Sequence, residues 1–366
     1  MQFIKNTFGF IFVVVNLLVG VGLLGGAYAQ YLSPILSPIL SVAGLIFPIF
    51  AMLNLLFVLF WLVVHPKFVV LPLFLYLCCI DPLLTYSPMS MSRSSNGGKV
   101  LKVLTYNTMG VPGEKNSKGK MIYPAVDYIK KSGADIVCLQ EFPAEHKEIV
   151  RQLKSVYPYI KIVTFHSSLR VACVSKTPIL SSESIDLIST GNGSALFYVK
   201  LDEKGKQKIP VIINHLESNK LSGSDKEIYE SMLEDPQNRF VKNGSKYLLF
   251  KLADAASLRC PQANTIAQRI REINSPHIIV CGDFNDTPLS YTHRVIGEGL
   301  QDTYREVSFG PDMTYHEHFM YFRIDHMFVG QGYRVLDCEV DKSIDASDHY
   351  PYWSTIEILP TEEEVE

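Results

Sequence analysis

Charge is nearly missing from the first quarter of this chain. Between Met1 and Ser92 the only Lys, Arg, Asp or Glu residues are Lys5, Lys67 and Asp81. A basic excess is missing from the rest. Lys5, Lys67, Arg93 and Lys99 are the basic residues before Val100 and Asp81 the acidic one, so 30 basic and 36 acidic side chains follow, a net charge of −6. That balance argues against tight, non-specific binding of nucleic acid, although a local patch or a metal can still hold a polyanion. Seven cysteines are present, but no CxxC and no Cys/His zinc spacing, which argues against a disulfide framework or a zinc site. No internal repeat divides the larger part.

What the first quarter does contain is apolar. Phe8–Leu24 and Ile39–Val64 are uncharged runs, the second of 26 residues, and each is long enough to cross about 30 Å of hydrocarbon. Phe68–Ile80 is a shorter run holding Pro72, read as a short span, a re-entrant segment or an interfacial one. Lys5 and the Ala27-Tyr28-Ala29 stretch also resemble a cleavable signal peptide, a reading that the later runs oppose. Lys5 and Lys67 on the cytoplasmic side fit the positive-inside tendency. A third crossing then leaves the larger domain extracytoplasmic, on a plasma or inner membrane, the favoured layout; if the third run only lies on the surface the domain is cytoplasmic, which Arg93, Lys99 and Lys102 support. The expected layout is a membrane anchor over 1–86 with two or three spans, a flexible linker over 87–98, one large domain over 99–360 and an acidic tail over 361–366. The lipid bilayer is the partner this implies; nothing points to a protein partner.

Past residue 99 strands and single helices alternate. Strands are expected at 100–106, 135–139, 159–165, 170–175, 179–188, 194–201, 208–214, 277–281, 324–329, 333–340 and 352–358. Helices are expected at 121–131, 143–154, 225–234 and 245–273, the last on the stripe Ala263, Ile266, Ala267, Ile270, Ile273. Such alternation argues α/β layering with much antiparallel pairing. Residues 217–250 are polar to amphipathic, with a sticky Tyr247-Leu248-Leu249-Phe250. They read as a helix packed on the domain or as a membrane-facing lip.

Short polar clusters end several apolar runs: Thr105-Tyr106-Asn107, Leu139-Gln140-Glu141, Asn214-His215-Leu216, Gly282-Asp283-Phe284-Asn285, Arg323-Ile324-Asp325 and Ser347-Asp348-His349. Singly, each has a plain structural reading: Asn107 as a turn residue, Glu141 as a surface charge, His215 as a satisfied core histidine. Asp283 and Asn285 are two apart, so in extended chain both point the same way. Carboxylates and amides beside a histidine suit a divalent cation and phosphate-ester chemistry.

In that order the clusters resemble the endonuclease/exonuclease/phosphatase superfamily, as a membrane-anchored, bacterial-type member. Val174-Ser175-Lys176-Thr177-Pro178-Ile179 is similar to another of its strand exits. The resemblance covers roughly 100–358 and implies a four-layer α/β/β/α sandwich of two mostly antiparallel sheets. It implies Glu141 as the principal Mg²⁺ or Mn²⁺ ligand, with Asn107 and Asp348 beside it. Asp283 and Asn285 would orient water and phosphate. His349, held by Asp325, would act on the phosphate, and His215 would contact it. His326, where many relatives carry Tyr, and Arg170-Val171-Ala172-Cys173 depart from the pattern near the expected groove. The resemblance therefore implies a metal-dependent phosphoesterase acting on a phosphodiester or phosphomonoester. A lipid headgroup or small phosphoester leads, a DNA or RNA nuclease is the alternative, and an inactive binding module on the same fold is the third reading.

Overall fold

The computed structural model describes residues 2–117, 119–143, 145, 147–165, 169–188, 192–201, 207–234, 239–317 and 320–360. The acidic tail, 361–366, and residues 144 and 146 of the expected second helix lie outside these.

Twelve strands make two six-stranded sheets. They are β1 Val100–Asn107, β2 Ile136–Gln140, β3 Tyr159–Thr164, β4 Arg170–Ser175, β5 Ile179–Ile185, β6 Gly193–Lys200, β7 Lys208–His215, β8 Ile279–Asp283, β9 Gln301–Asp302, β10 Asp325–Val329, β11 Tyr333–Val340 and β12 Tyr352–Ile358. The first sheet runs β11-β12-β1-β2-β4-β3 and the second β9-β10-β8-β7-β6-β5. Only β1–β2 and β7–β8 pair in parallel; the other pairs are antiparallel.

Alternation explains the layering. Along the central strands, Leu101, Val103, Ile136, Cys138, Val211, Ile213, Ile279 and Cys281 form the seam between the sheets. The intervening residues of the first sheet, Leu104, Val137 and Leu139, pack outward on helix α5, Pro124–Lys131, and helix α6, Lys147–Leu153. Those of the second, Ile212 and Val280, pack on helix α8, Arg239–Ile273. Strands buried on both faces read as continuous apolar runs, which is why they stand out in the sequence. The seven cysteines are all free, and those at 138, 173 and 281 fill this seam.

The helix expected at 121–131 starts only at Pro124, whose fixed φ suits a first helical position. Met121–Ile122 pairs with Glu114–Lys115 instead. Helix α7, Gly223–Glu234, precedes α8, and α9, Tyr291–Ile296, and α10, Thr303–Val307, are short helices with no counterpart in the periodicity.

Ahead of the sandwich stands an apolar bundle: α1 Gln2–Tyr28, α2 Phe47–Val64, α3 Val70–Cys78 and α4 Ile80–Tyr86. Gly9–Tyr31 and Pro38–Val64 are long and apolar enough to cross a membrane; Pro66–Cys78 and Ile80–Tyr86 form a pair bent by 67°. Glycines let the helices approach: a Cβ on Gly26 would lie 3.0 Å from the Phe47 backbone. Buried Asn16 accepts from Trp61 Nε1 at 3.1 Å and Asn54 donates to Pro72 O at 3.0 Å, so polar side chains also tie the bundle together.

The bundle packs on the sandwich. Leu289 joins a cluster with Leu23, Ala27 and Phe47. Arg294 donates to Gln30 O, Arg323 to Thr85 O, and Arg305 pairs with Asp81 at 2.6 Å. The stretch 87–98, read from its composition as a flexible linker, hydrogen-bonds to the domain. Arg93 N donates to Leu336 O, and the Glu357 carboxylate accepts from Ser95, Asn96 and Gly98.

Candidate active site

The seam between the sheets turns polar at one rim. Asn107, His215 and Asp283 continue the inward-facing positions at the ends of β1, β7 and β8, and Asp325 opens β10 on the same face. Register does the gathering. Asn107 lies opposite Gln140, with Glu141 next; Asp283 lies opposite His215 on one side and Asp325 on the other. His349 enters just before β12, whose Tyr352 pairs with Thr105. Gly282 is required here. Its φ is +131°, and a Cβ would stand 2.0 Å from Asn214 O.

Asn107 Nδ2 lies 3.2 Å from Glu141 Oε1 and 3.1 Å from Asp283 Oδ2, so one amide joins the two carboxylates. His215 Nε2 is 3.6 Å from Glu141 Oε1 and 3.7 Å from Asp283 Oδ2. His349 Nδ1 is 2.7 Å from Asp325 Oδ2, and its Nε2 is 3.8 Å from Asp283 Oδ2. Asp283 and Asn285 do meet, but through a turn rather than the pleat. Asn285 has φ +52°, and its N and Nδ2 donate to the two Asp283 oxygens at 2.8 and 3.2 Å. Glu141 also has φ +52°, and such backbone strain concentrates at functional sites.

Asp348 accepts from Ser347 Oγ and lines an open groove of about 530 Å³ with Met109, Glu114, His316, Glu317 and Asp345; its charge acts on both Glu141 and His349. Glu141 is half-buried and faces solvent, whereas Asp283, Asp325 and His349 are buried.

The charges are tuned by this arrangement. Burial works against the charged form of His349, but Asp325 and Asp283 outweigh it and hold the imidazole up at about 10. Burial pushes Asp283 up to about 6, against the pull of His349. Burial also raises Glu141, opposed by its Asn107 hydrogen bond and reinforced by Asp348 and Asp325. Burial lowers His215, which leaves it neutral near pH 7.

A sequence model of the endonuclease/exonuclease/phosphatase family matches residues 104–349. The chain belongs to this family. A model of a domain of unknown function, DUF8431, matches residues 9–86. No curated protein matches the chain. Among solved structures, a member of the family from Bacteroides thetaiotaomicron is 15% identical, covering 72% of this chain and 99% of its own, with TM-score 0.50. Truncated TDP2 of Caenorhabditis elegans is 16% identical over 70% of this chain and 98% of its own, with TM-score 0.47. ANGEL2, a 2′,3′-cyclic phosphatase, is 15% identical over 72% and 97%, with TM-score 0.47. Members of the endonuclease/exonuclease/phosphatase family hydrolyse phosphoester bonds and are typically dependent on a divalent metal.

Thr314 and Tyr315 carry no signal in the sequence, and the contact made by Ser347, itself part of a motif, carries none either. Thr314 Oγ1 accepts from the amides of Ile324 and Asp325 at 3.0 Å and so sets the Asp325 backbone. Tyr315 lies edge-on to His349, with centroids 5.2 Å apart. Ser347 Oγ donates to Asn107 O at 2.8 Å and ties two motif loops together. His326, the departure from the family pattern, is buried, bonds to Asp286 O at 2.9 Å and lies edge-on to Phe284 and His293. It therefore packs behind the site rather than in the groove.

The donor set fits a hard cation. Asp283, Asp325 and His349 offer ligand atoms within 4.8 Å of one another. Asp325 Oδ1 is buried with no hydrogen-bond partner among the described residues. In this trio, however, His349 and Asp325 satisfy each other, and a protonated imidazole does not ligate. Glu141, raised chiefly by burial, is a further carboxylate at this rim and keeps a solvent-facing side; Mg²⁺ keeps waters and takes one or two carboxylates.

Proposed function

We propose that this chain is a membrane-anchored, divalent-metal-dependent phosphoesterase, with a lipid headgroup or related small phosphoester as its substrate. The observation that carries the reading is the meeting of Asn107, Glu141, His215, Asp283 and the Asp325–His349 pair at one rim.

Glu141 would hold Mg²⁺ or Mn²⁺, with Asn107 and Asp348 near it; the ion would supply charge neutralisation at the phosphoryl oxygens. The protein's own groups divide the remaining work. His349, kept protonated by Asp325, donates to a phosphoryl oxygen, and His215 offers a second, neutral contact. Asp283, near pH 6 and positioned by Asn285 and Asn107, takes the proton as a water oxygen attacks phosphorus. The ester P–O bond breaks, and the leaving oxygen departs with the bonding pair and is protonated from water. A carboxylate behind an imidazole fixes its tautomer and stabilises its charge.

The anchor reading rests on two helices that are long and apolar enough to span, and on a third segment that returns beside them. Tyr28 bonds to Cys78 O and Phe47 meets Tyr86 at 6.0 Å, so the domain-side ends of the three coincide. Lys5 and Lys67 fall at the other end, which favours an extracytoplasmic catalytic domain. The acidic groove beside Asp348 favours a small or zwitterionic ester over a long polyanion. The test is a substrate panel for the full chain in detergent with Mg²⁺: choline and ethanolamine phospholipids, an aryl phosphodiester and supercoiled plasmid. Release of headgroup or phosphate supports the reading. Nicking alone would make the chain a nuclease, and no turnover of any of them would leave a binding module.

A further inference from the structure

The N-terminal half of α8 leaves an aromatic stripe uncovered. Tyr247 is 52% exposed, Phe250 43% and Leu249 37%. Two lysines flank the rings: Lys246 Nζ is 5.8 Å from the Phe250 centroid and Lys251 Nζ 5.7 Å from that of Tyr247. One turn on, the same helix meets the apolar bundle. Ala253 and Ala256 bury against Val42 and Leu45, and Ser257 donates to Pro34 O at 3.0 Å. The stripe thus begins where contact with the bundle ends. The bundle's side of that seam is apolar too. Residues 32–40 read Leu-Ser-Pro-Ile-Leu-Ser-Pro-Ile-Leu, with Ile35 60% and Leu36 84% exposed. Exposed apolar side chains at the end of two spans, continued by aromatic and lysine residues, have the composition of a membrane–water boundary.

We propose that Tyr247, Leu249 and Phe250 sit in the headgroup–acyl boundary of the bilayer that holds the anchor, so that the catalytic domain lies on the membrane surface and draws its phosphoester from that leaflet. The inference rests on the anchored-phosphoesterase reading above. Helix α8 also reaches the active site. Nine residues beyond Phe250, about 14 Å along the axis, Arg259 binds Asp286 at 3.1 Å and donates to Glu217 O and Asn219 Oδ1. Asn219 in turn donates to Asn285 O. The lip and the loops bearing His215 and Asn285 share one rigid helix.

The test uses the full chain in lipid nanodiscs with ordinary or brominated acyl chains. The wild type has two tryptophans, Trp61 and Trp353. The emission that F250W adds to theirs should fall by at least half in brominated discs. Equal emission in both kinds of disc would overturn the proposal, including the case in which a second copy covers the stripe. Failure of the chain to enter discs would overturn the anchor reading, and the proposal with it. As a second arm, Y247S/F250S should keep wild-type hydrolysis of a soluble aryl phosphodiester and lose at least ten-fold on disc phospholipid. Equal loss on both would mean a merely structural role and overturn the lip.

Discussion

His349 Nδ1 lies 2.7 Å from Asp325 Oδ2; Asp325 opens β10 of the second sheet, and His349 lies in the loop that leads into β12 of the first. The pair forms only when the sheets pack as they do here, so integrity of the seam and protonation of the site are one property.

Asp325→Asn keeps the shape but removes the charge that holds His349 protonated. The His349 pKa should fall from about 10 towards the usual histidine range of about 6.5. It is read by NMR titration of the metal-free protein. Turnover should fall by roughly 10²–10⁴-fold, by analogy with the loss of a carboxylate behind a catalytic imidazole. Stability follows with a definite sign. The folded pKa is raised, so the contribution is complete below about pH 6.5 and is lost as pH rises through 10. Asp325→Asn should flatten that alkaline limb of the melting temperature.

Glu141→Gln removes the carboxylate that faces solvent in the rim. Mn²⁺ affinity, read by electron paramagnetic resonance or calorimetry, should fall at least ten-fold, in the range seen when a metal site loses a supporting group. The melting temperature without metal should stay within a few degrees or rise, because a carboxylate raised by burial, and further by Asp348 and Asp325, is removed.

Gly282→Ala puts a Cβ 2.0 Å from the Asn214 carbonyl oxygen at a positive φ. The neighbour is backbone and cannot swing away. Loss of more than about 3 kcal/mol is expected, the range of strongly disruptive core changes. Chemical denaturation measures it.

Much of this fold is legible in the sequence for a physical reason. Strands β4 and β12 are read at their observed bounds because apolar residues bury on both faces or alternate cleanly. Helices α9 and α10, of six and five residues, are too short to show a period. The site divides in the same way. Asn107, His215 and Asp283 are visible as polar ends of buried runs. The Asp325–His349 contact joins residues 24 apart, one on β10 and one in the loop before β12, and its expectation rests on family resemblance, not spacing. Thr314 and Tyr315 act through a tertiary hydrogen bond and a ring contact that no local pattern encodes, as does the bond from the motif residue Ser347 to Asn107 O.

In the bundle, Asn16→Leu strands the Trp61 indole N–H in an apolar interior. A loss of about 0.6–2 kcal/mol is expected from polar contacts between membrane helices. It should appear in detergent unfolding of the full chain, with aryl phosphodiester hydrolysis in the folded protein unchanged.

The central claim is tested most directly by hydrolysis of a soluble aryl phosphodiester by the purified full chain, with and without Mg²⁺ or Mn²⁺, beside His349→Ala and Glu141→Gln. Metal-dependent turnover in the wild type, reduced at least a hundred-fold in both variants, is the predicted result. Turnover that persists in His349→Ala, or that needs no metal, would contradict the assignment of this rim as the active site.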